Sequence, residues 1–187
     1  IGYSLGSIPT AYLFVKYFNG NDIRNEGSGN VGTLNSFEVT GSKIIGVAVF
    51  IIDFLKGMLS VIIVSNIFPD VFIYPANAVF FAVFGHCFNP WLKFKGGRGL
   101  ATAAGASVVF IPLLLVIWLL LWIIAYAIKK NIHFGNIWGT VMSIIIVFSS
   151  KDFINKYSFI KAESSDFIAF FCTSVMIIIF IKHIEPL

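Results

Sequence analysis

The chain has 187 residues, 58% of them hydrophobic and 12% charged, with a net charge of +4 and a mean hydropathy of +0.90. Soluble domains carry roughly a quarter charged residues, so a water-soluble core of this size is excluded and a bilayer must solvate the apolar surface. The positive balance favours an anionic membrane surface or anionic substrates, and no aromatic-interleaved basic stripe of the kind that grips single-stranded nucleic acid occurs.

Residues 2–18 are expected to form a first helix, with Gly2, Gly6 and Ser7 aligned for close helix packing. Its polar Ser4, Ser7, Thr10 and Lys16, without a small-residue cleavage site, read as a retained helix and not a signal peptide. Ile1 in place of methionine reads as a trimmed start. A polar loop over 19–43 follows, then a second span over Ile44–Ile67 that Pro69 and Asp70 end. Pro75–Phe88 is a third, short span, stopped by Asn89-Pro90, with a loop over 89–99 behind it.

Leu100–Ile128 reads either as one long span or as two short helices divided near Pro112. The charge rule arbitrates. A separate helix over 100–111 puts loops 19–43, 89–99 and 129–135 on one side with the C-terminus. That side then collects Arg24, Lys43, Lys93, Lys95, Arg98, Lys129, Lys130 and Lys182. Trp138–Ser149, a polar loop over 150–165 and Phe167–Ile181 complete the chain. The expectation is an all-α, polytopic integral membrane protein of about seven transmembrane helices, some short, forming a single membrane-embedded domain over 1–187.

Two islands carry the chemistry. Glu26–Phe37 and Phe94–Thr102 are glycine-rich and polar, and each lies between apolar stretches. Glycine turns let an anion approach the backbone closely, which points to phosphate handling at a bilayer surface. Gly27, Gly29 and Gly32 spell G-x-G-x-x-G, but no strand precedes them and no βαβ unit surrounds them, so the dinucleotide reading fails. What remains is a turn whose N–H groups cradle a phosphate, with side-chain donors on Ser28, Asn30, Asn35 and Ser36. In the second island Lys95 and the guanidinium fork of Arg98 lie among Gly96, Gly97 and Gly99, suited to bidentate phosphate binding. His86 reads as a structural residue or a base. Asp53 and Lys56, three apart in mid-span, read as an ion pair facing the bundle. Glu38 reads as structural, as a partner for Arg98, or as a base. Cys87 and Cys172 lack metal-ligand spacing and read as buried thiols.

Four segments occur in one order: Gly6-Ser-Ile-Pro-Thr-Ala-Tyr12, Gly27-Ser-Gly-Asn-Val-Gly-Thr-Leu-Asn35, Asp53-Phe-Leu-Lys-Gly57, and Gly85-His-Cys-Phe88 followed by Lys93-Phe-Lys-Gly-Gly-Arg-Gly-Leu-Ala-Thr102. Together they resemble the acyl-phosphate:glycerol-3-phosphate acyltransferases of bacteria, the PlsY-type integral membrane enzymes. The likeness runs to about Gly105; the later spans match in length and hydropathy. It implies a seven-helix enzyme of the bacterial inner membrane, its active site facing the cytoplasm. Such an enzyme moves a fatty acyl group from acyl phosphate to glycerol 3-phosphate, giving lysophosphatidic acid for phospholipid synthesis. It implies no metal, no cofactor and no acyl-enzyme, with the acceptor's own phosphate helping to deprotonate its hydroxyl.

Carried over by position, Ser28, Asn30 and Asn35 bind and orient substrate, Arg98 replaces the family's phosphate-binding lysine, and His86 belongs to the same motif. Glu38 stands where the family has an arginine, and Ile132-His-Phe-Gly-Asn136 stands where it has Val-Ser-Leu-Ala-Ser. His133 and Asn136 thereby become candidate substrate ligands. His183 begins a shortened form of the C-terminal His-x-x-Asn-Ile-x-Arg pattern, which reads as truncated at Leu187. Two further readings are weighed. One is the same chemistry on an acceptor lacking phosphate, with Glu38 or His133 as base. The other is a small anion transporter, which needs polar residues along several helices where these spans are apolar. A membrane scaffold would leave the two islands without a purpose.

Overall fold

In hydrocarbon a backbone N–H or C=O finds no water, so each segment must close its own hydrogen bonds. The computed structural model describes residues 1–184, and those residues form ten α-helices and two 3-10 turns, with no strand among them. The helices are α1 Gly2–Gly6, α2 Thr10–Asn19, α3 Thr33–Thr40, α4 Lys43–Ile67, α5 Ile73–Cys87, α6 Leu100–Phe110, α7 Pro112–Lys129, α8 Ile132–Ser149, α9 Lys151–Lys156 and α10 Ser165–Ile184. Four of them, α4, α7, α8 and α10, are long and apolar enough to cross a membrane. Of the shortened C-terminal pattern, the part beyond Ile184 lies outside the described residues.

Pro112 does divide α6 from α7, as the charge rule required. Elsewhere the boundaries correct the sequence reading. The single helix expected over 2–18 is two, parted at Ser7-Ile8-Pro9, because proline has no N–H and drives the residue before it out of helical conformation. The loop expected over 19–43 contains α3, which Gly41 ends in a left-handed conformation (φ +66°). Asn35, Ser36 and Glu38 therefore sit on a helix. α8 begins at Ile132 and not at Trp138, because the Asn131 side chain accepts the Phe134 N–H at 3.0 Å and caps it. That places His133 and Asn136 on its first turns. The loop expected over 150–165 contains α9.

Two kinds of contact hold the bundle. Glycines allow backbone approach: a side chain at Gly57 would strike the Thr102 carbonyl, and one at Gly105 the Phe54 carbonyl, so α4 and α6 cross in direct contact. The second is a buried polar hub at the Pro9 break. Asn89 Nδ2 donates to the Ser7 carbonyl at 2.8 Å, and Lys56 Nζ donates to the Ile8 carbonyl at 3.0 Å. Lys56 also pairs with Asp53 at 2.9 Å, both residues being almost wholly buried, and His86 Nδ1 stands 3.9 Å from the same carboxylate. The mid-span charges thus serve the helix break.

Cross-contacts sort the loops between two ends. The Phe159 N–H donates to the Phe110 carbonyl at 3.0 Å, so the segment after α9 meets the α6–α7 corner. At the other end Arg24 Nη1 reaches the Leu92 carbonyl at 3.3 Å, and Arg98 reaches His133 at 3.1 Å. Both glycine islands and the α7–α8 turn therefore share one end.

Lys56→Met is expected to destabilise the protein by about 3–5 kcal/mol, because it leaves the Asp53 carboxylate buried without its cation. The double change Asp53→Asn with Lys56→Met is expected to recover much of that loss. Thermal unfolding in detergent reads both, and a double variant no more stable than the single one would contradict the pairing.

Candidate active site

The first island folds as a turn closed from within. Gly27 and Gly29 take left-handed conformations (φ +56° and +69°), which side chains disfavour. Asn35, 1% exposed, reaches back from α3 into this turn. Its Oδ1 accepts the Ser28 N–H at 2.9 Å, and its Nδ2 points to the Glu26 and Asn30 carbonyls, each at 3.0 Å, and to that of Ile23 at 3.4 Å. The Gly29 and Gly32 N–H groups are also taken, by the Glu26 and Asn30 carbonyls at 2.9 and 3.1 Å. This corrects the expected cradle: those two amides hold the turn's shape. Asn35, expected to orient substrate, has its amide engaged by the loop. Gly27, Asn30 and Val31 keep N–H groups that no acceptor among the described residues takes. The Ser28 hydroxyl is exposed at the tip.

The second island is fixed from behind. Asn89, besides holding Ser7, caps the 3-10 turn Pro90–Leu92 by accepting the Trp91 N–H at 3.0 Å. The Gly97 N–H donates to the His86 carbonyl at 3.1 Å. Gly97 lies between the His86 ring and the Val31 carbonyl, with no room for a side chain. It is the point where the two islands touch. His86, read from sequence as a catalytic candidate, lies behind the loop in the polar hub, and Gly96 packs on its carbonyl. Lys95 is exposed at the rim. Gly99, left-handed at φ +85°, opens α6.

Arg98 is half-buried between them. Burial pulls its guanidinium below the ordinary arginine value, yet an arginine remains charged near neutral pH. Its Nη1 donates to His133 Nδ1 at 3.1 Å. Arginine has only donors, so in this contact the imidazole nitrogen is the acceptor. His183, 2% exposed, donates from Nδ1 to the Ile179 carbonyl at 2.7 Å, and its Nε2 is buried without a partner among the described residues. The Ile179 side chain comes close to Gly99, so α10 carries His183 up beside the second island. One cation and two imidazoles, from the second island, α8 and α10, thus share a site. Asn136 lies one turn along α8 from His133, its Oδ1 accepting the Trp122 indole N–H at 2.8 Å. That bond fixes the amide and leaves Nδ2 as the free donor end.

Glu38 is set apart. It is exposed on α3 and joins no ion pair among the described residues; of its three readings the one as partner for Arg98 is not met, Arg98 contacting His133 instead. Sequence reasoning missed Arg24 as a structural link. Its guanidinium pairs with Asp22, lies 5.5 Å from the Tyr12 ring centre and donates to Leu92 at 3.3 Å, joining the two islands. The hydrogen bond from Arg24 holds the Asp22 carboxyl below its usual value. The spacing Asp22-Ile-Arg24 was the available signal.

Behind Arg98 opens an apolar cavity of about 340 Å³, walled by Leu100, Ala104, Trp118, Phe110, Met176 and Ile179 among others. Leu100 and Ile179 carry its wall toward the Arg98 cluster, and Ser107 and Thr140 are the hydroxyl side chains in its lining.

Comparison with known proteins identifies the family and the fold. A family model described as glycerol-3-phosphate acyltransferase matches residues 1–187. The glycerol-3-phosphate acyltransferase of Ehrlichia canis is 36% identical, over 99% of this chain and 88% of its own length. Glycerol-3-phosphate acyltransferase 2 of Moorella thermoacetica is 37% identical over 79% of this chain and 74% of its own. Two crystal structures of PlsY, an integral membrane glycerol 3-phosphate acyltransferase, share the fold. Its glycerol 3-phosphate form superposes with TM-score 0.76 at 29% identity, and its lysophosphatidic acid form with 0.77 at 27%. Each covers 98% of this chain and 85% of the other.

Arg24→Gln is expected to raise amide exchange across residues 26–32 and 89–97 about fivefold, the loss of roughly 1 kcal/mol of inter-loop hydrogen bonding. Acid loosens the same link. A carboxyl held below its unfolded value contributes fully above pH about 3.8 and loses that contribution as pH falls through its lower folded value. Exchange that accelerates already between pH 6 and 5, where Asp22 stays ionised on this account, would argue against it.

Proposed function

The chain belongs to the glycerol-3-phosphate acyltransferase family, and from that premise we propose how its residues carry the reaction. It is a membrane acyltransferase acting on glycerol 3-phosphate, with acyl phosphate as donor and lysophosphatidic acid as product. The membrane is the bacterial inner membrane, with the site on its cytoplasmic side, as the gathering of Arg24, Lys93, Lys95, Arg98, Lys129 and Lys130 at one end favours.

The single observation that carries the reading is the placement of Arg98. Its charge meets no carboxylate among the described residues, it stands with His133 and His183 where the two islands touch, and the apolar cavity begins beside it. An acyl phosphate has this same division, a charged head joined to a hydrocarbon tail. Arg98 and Asn136 Nδ2 hold the phosphate end while the acyl chain lies in the cavity. A glycerol hydroxyl attacks the carbonyl carbon, a C–O bond forms, and the bond from that carbon to the phosphate oxygen breaks. Charge grows on the departing phosphate, and a fixed guanidinium is most effective against charge that develops in the transition state.

His183 Nε2, an acceptor with no partner among the described residues, takes a hydrogen bond from the glycerol hydroxyl that does not attack and so orients the one that does. The hydroxyl proton passes to the phosphate of glycerol 3-phosphate, whose second ionisation near pH 6 leaves it a mild base. Ser28, Asn30 and Lys95 at the rim bind that phosphate. An acceptor without phosphate would need Glu38 or His133 as base, but Glu38 is remote from the cluster's contacts and His133 Nδ1 is occupied by Arg98. Transport of a small anion would need a polar path, and the cavity is apolar.

Purified protein is expected to convert palmitoyl phosphate and labelled glycerol 3-phosphate to lysophosphatidic acid. Arg98→Gln is expected to lower kcat/KM about 100-fold or more, the scale seen when one transition-state donor is removed. Glu38→Gln is expected to leave it unchanged. Product formed faster from neutral alcohols than from glycerol 3-phosphate would overturn the assignment.

A further inference from the structure

The cavity has a depth and a floor. Along α6 it is lined from Leu100 to Phe110, and along α10 from Ile179 back to Phe171. At 1.5 Å per residue these walls are about 15 and 12 Å long. Leu100 follows Arg98 by two residues and Ile179 holds His183, so this end is the mouth. The far end is closed by aromatic rings. Phe72 stacks on Phe110 with ring centres 5.2 Å apart and meets Phe171 edge-on at 6.0 Å. Both Phe72 and Phe110 are almost fully buried, and the Phe110 carbonyl accepts the Phe159 N–H, so the α6–α7 corner seals the space beneath.

A bilayer's hydrocarbon core is about 30 Å thick, so one leaflet, one ordinary acyl chain deep, is about 15 Å. The walls match that length. We propose that Phe110, backed by Phe72 and Phe171, is the stop that sets the longest acyl chain this enzyme takes, and that Ser107, about 10 Å below Leu100 on the same wall, sets the width above it. This rests on the acyl-phosphate reading above. Phe50 of α4 and Leu119 of α7 line the cavity and are themselves partly exposed, so its wall reaches the bundle surface that faces lipid. A donor already dissolved in the membrane enters there with its tail first and its phosphate at Arg98.

The test is a series of acyl phosphates from ten to about twenty carbons, with kcat/KM measured for each on the wild type, Phe110→Ala and Ser107→Leu. The wild type is expected to rise about fourfold for each added methylene while the cavity fills, and then to fall. Phe110→Ala moves the fall to longer chains; Ser107→Leu moves it to shorter ones. If Phe110→Ala does not purify in folded form, Ser107→Leu decides alone. Profiles that coincide with the wild type in folded, active variants overturn the stop, and mean that the tail leaves sideways into lipid. A wild type that turns over no acyl phosphate of any length is a different failure, that of the donor assignment, and removes the stop with it.

Discussion

Two carbonyls at a proline break organise this molecule. Pro9 breaks the first helix, and the Ser7 and Ile8 carbonyls lose their helical donors; Ile8 keeps the Thr10 N–H at 2.9 Å, while Ser7 has no backbone donor among the described residues. A buried acceptor left unpaired costs on the order of 1–3 kcal/mol. Asn89 and Lys56 meet them, and each brings something else into place. Lys56 brings Asp53, and with it α4. Asn89 brings the start of the second island, whose Gly97 then bonds to the His86 carbonyl. The same break that interrupts a membrane helix thus fixes where Arg98 stands.

Charge balance separates the two arginines at this end of the bundle. Arg24 is held by Asp22, lies over Tyr12 and is committed to Leu92, so its charge is neutralised by a neighbour. Arg98 has an imidazole nitrogen as its contact and no carboxylate among the described residues, so its charge is left for a ligand. At an intermediate dielectric a unit charge 4 Å away is attracted by about 4 kcal/mol, which is ample to select a phosphate. Half-burial of Arg98 strengthens that attraction by removing competing water. One arginine therefore builds the site and the other works in it.

Much of this was legible in the sequence because hydropathy and proline act locally. The spans, the α6–α7 corner at Pro112 and the shared end of the two islands all follow from apolar runs and lysine–arginine bias. The eight residues of α3 were not legible, since glycines flank them and their composition is that of a turn. Asn131 was a readable cap for α8, but the strongly apolar run begins seven residues later, at Trp138. The larger miss concerns the amides of Gly29 and Gly32. A glycine turn permits both anion binding and internal closure, and which one occurs depends on Asn35, folded back from the next helix. Likewise Asp53 and Lys56 announce a pair, but their purpose depends on a proline more than forty residues away. Recognition of four ordered motifs supplied the chemistry that no single motif carried.

The central claim is that one guanidinium at the mouth of an apolar cavity receives the phosphate while the cavity takes the chain. A crystal structure grown with a non-hydrolysable acyl phosphonate addresses it most directly. On this account phosphonate oxygens lie within about 3 Å of Arg98 nitrogens, and the alkyl tail runs between α6 and α10 toward Phe110. A headgroup seated on Arg24 or on the exposed lysines, or a tail lying outside the bundle, would contradict it.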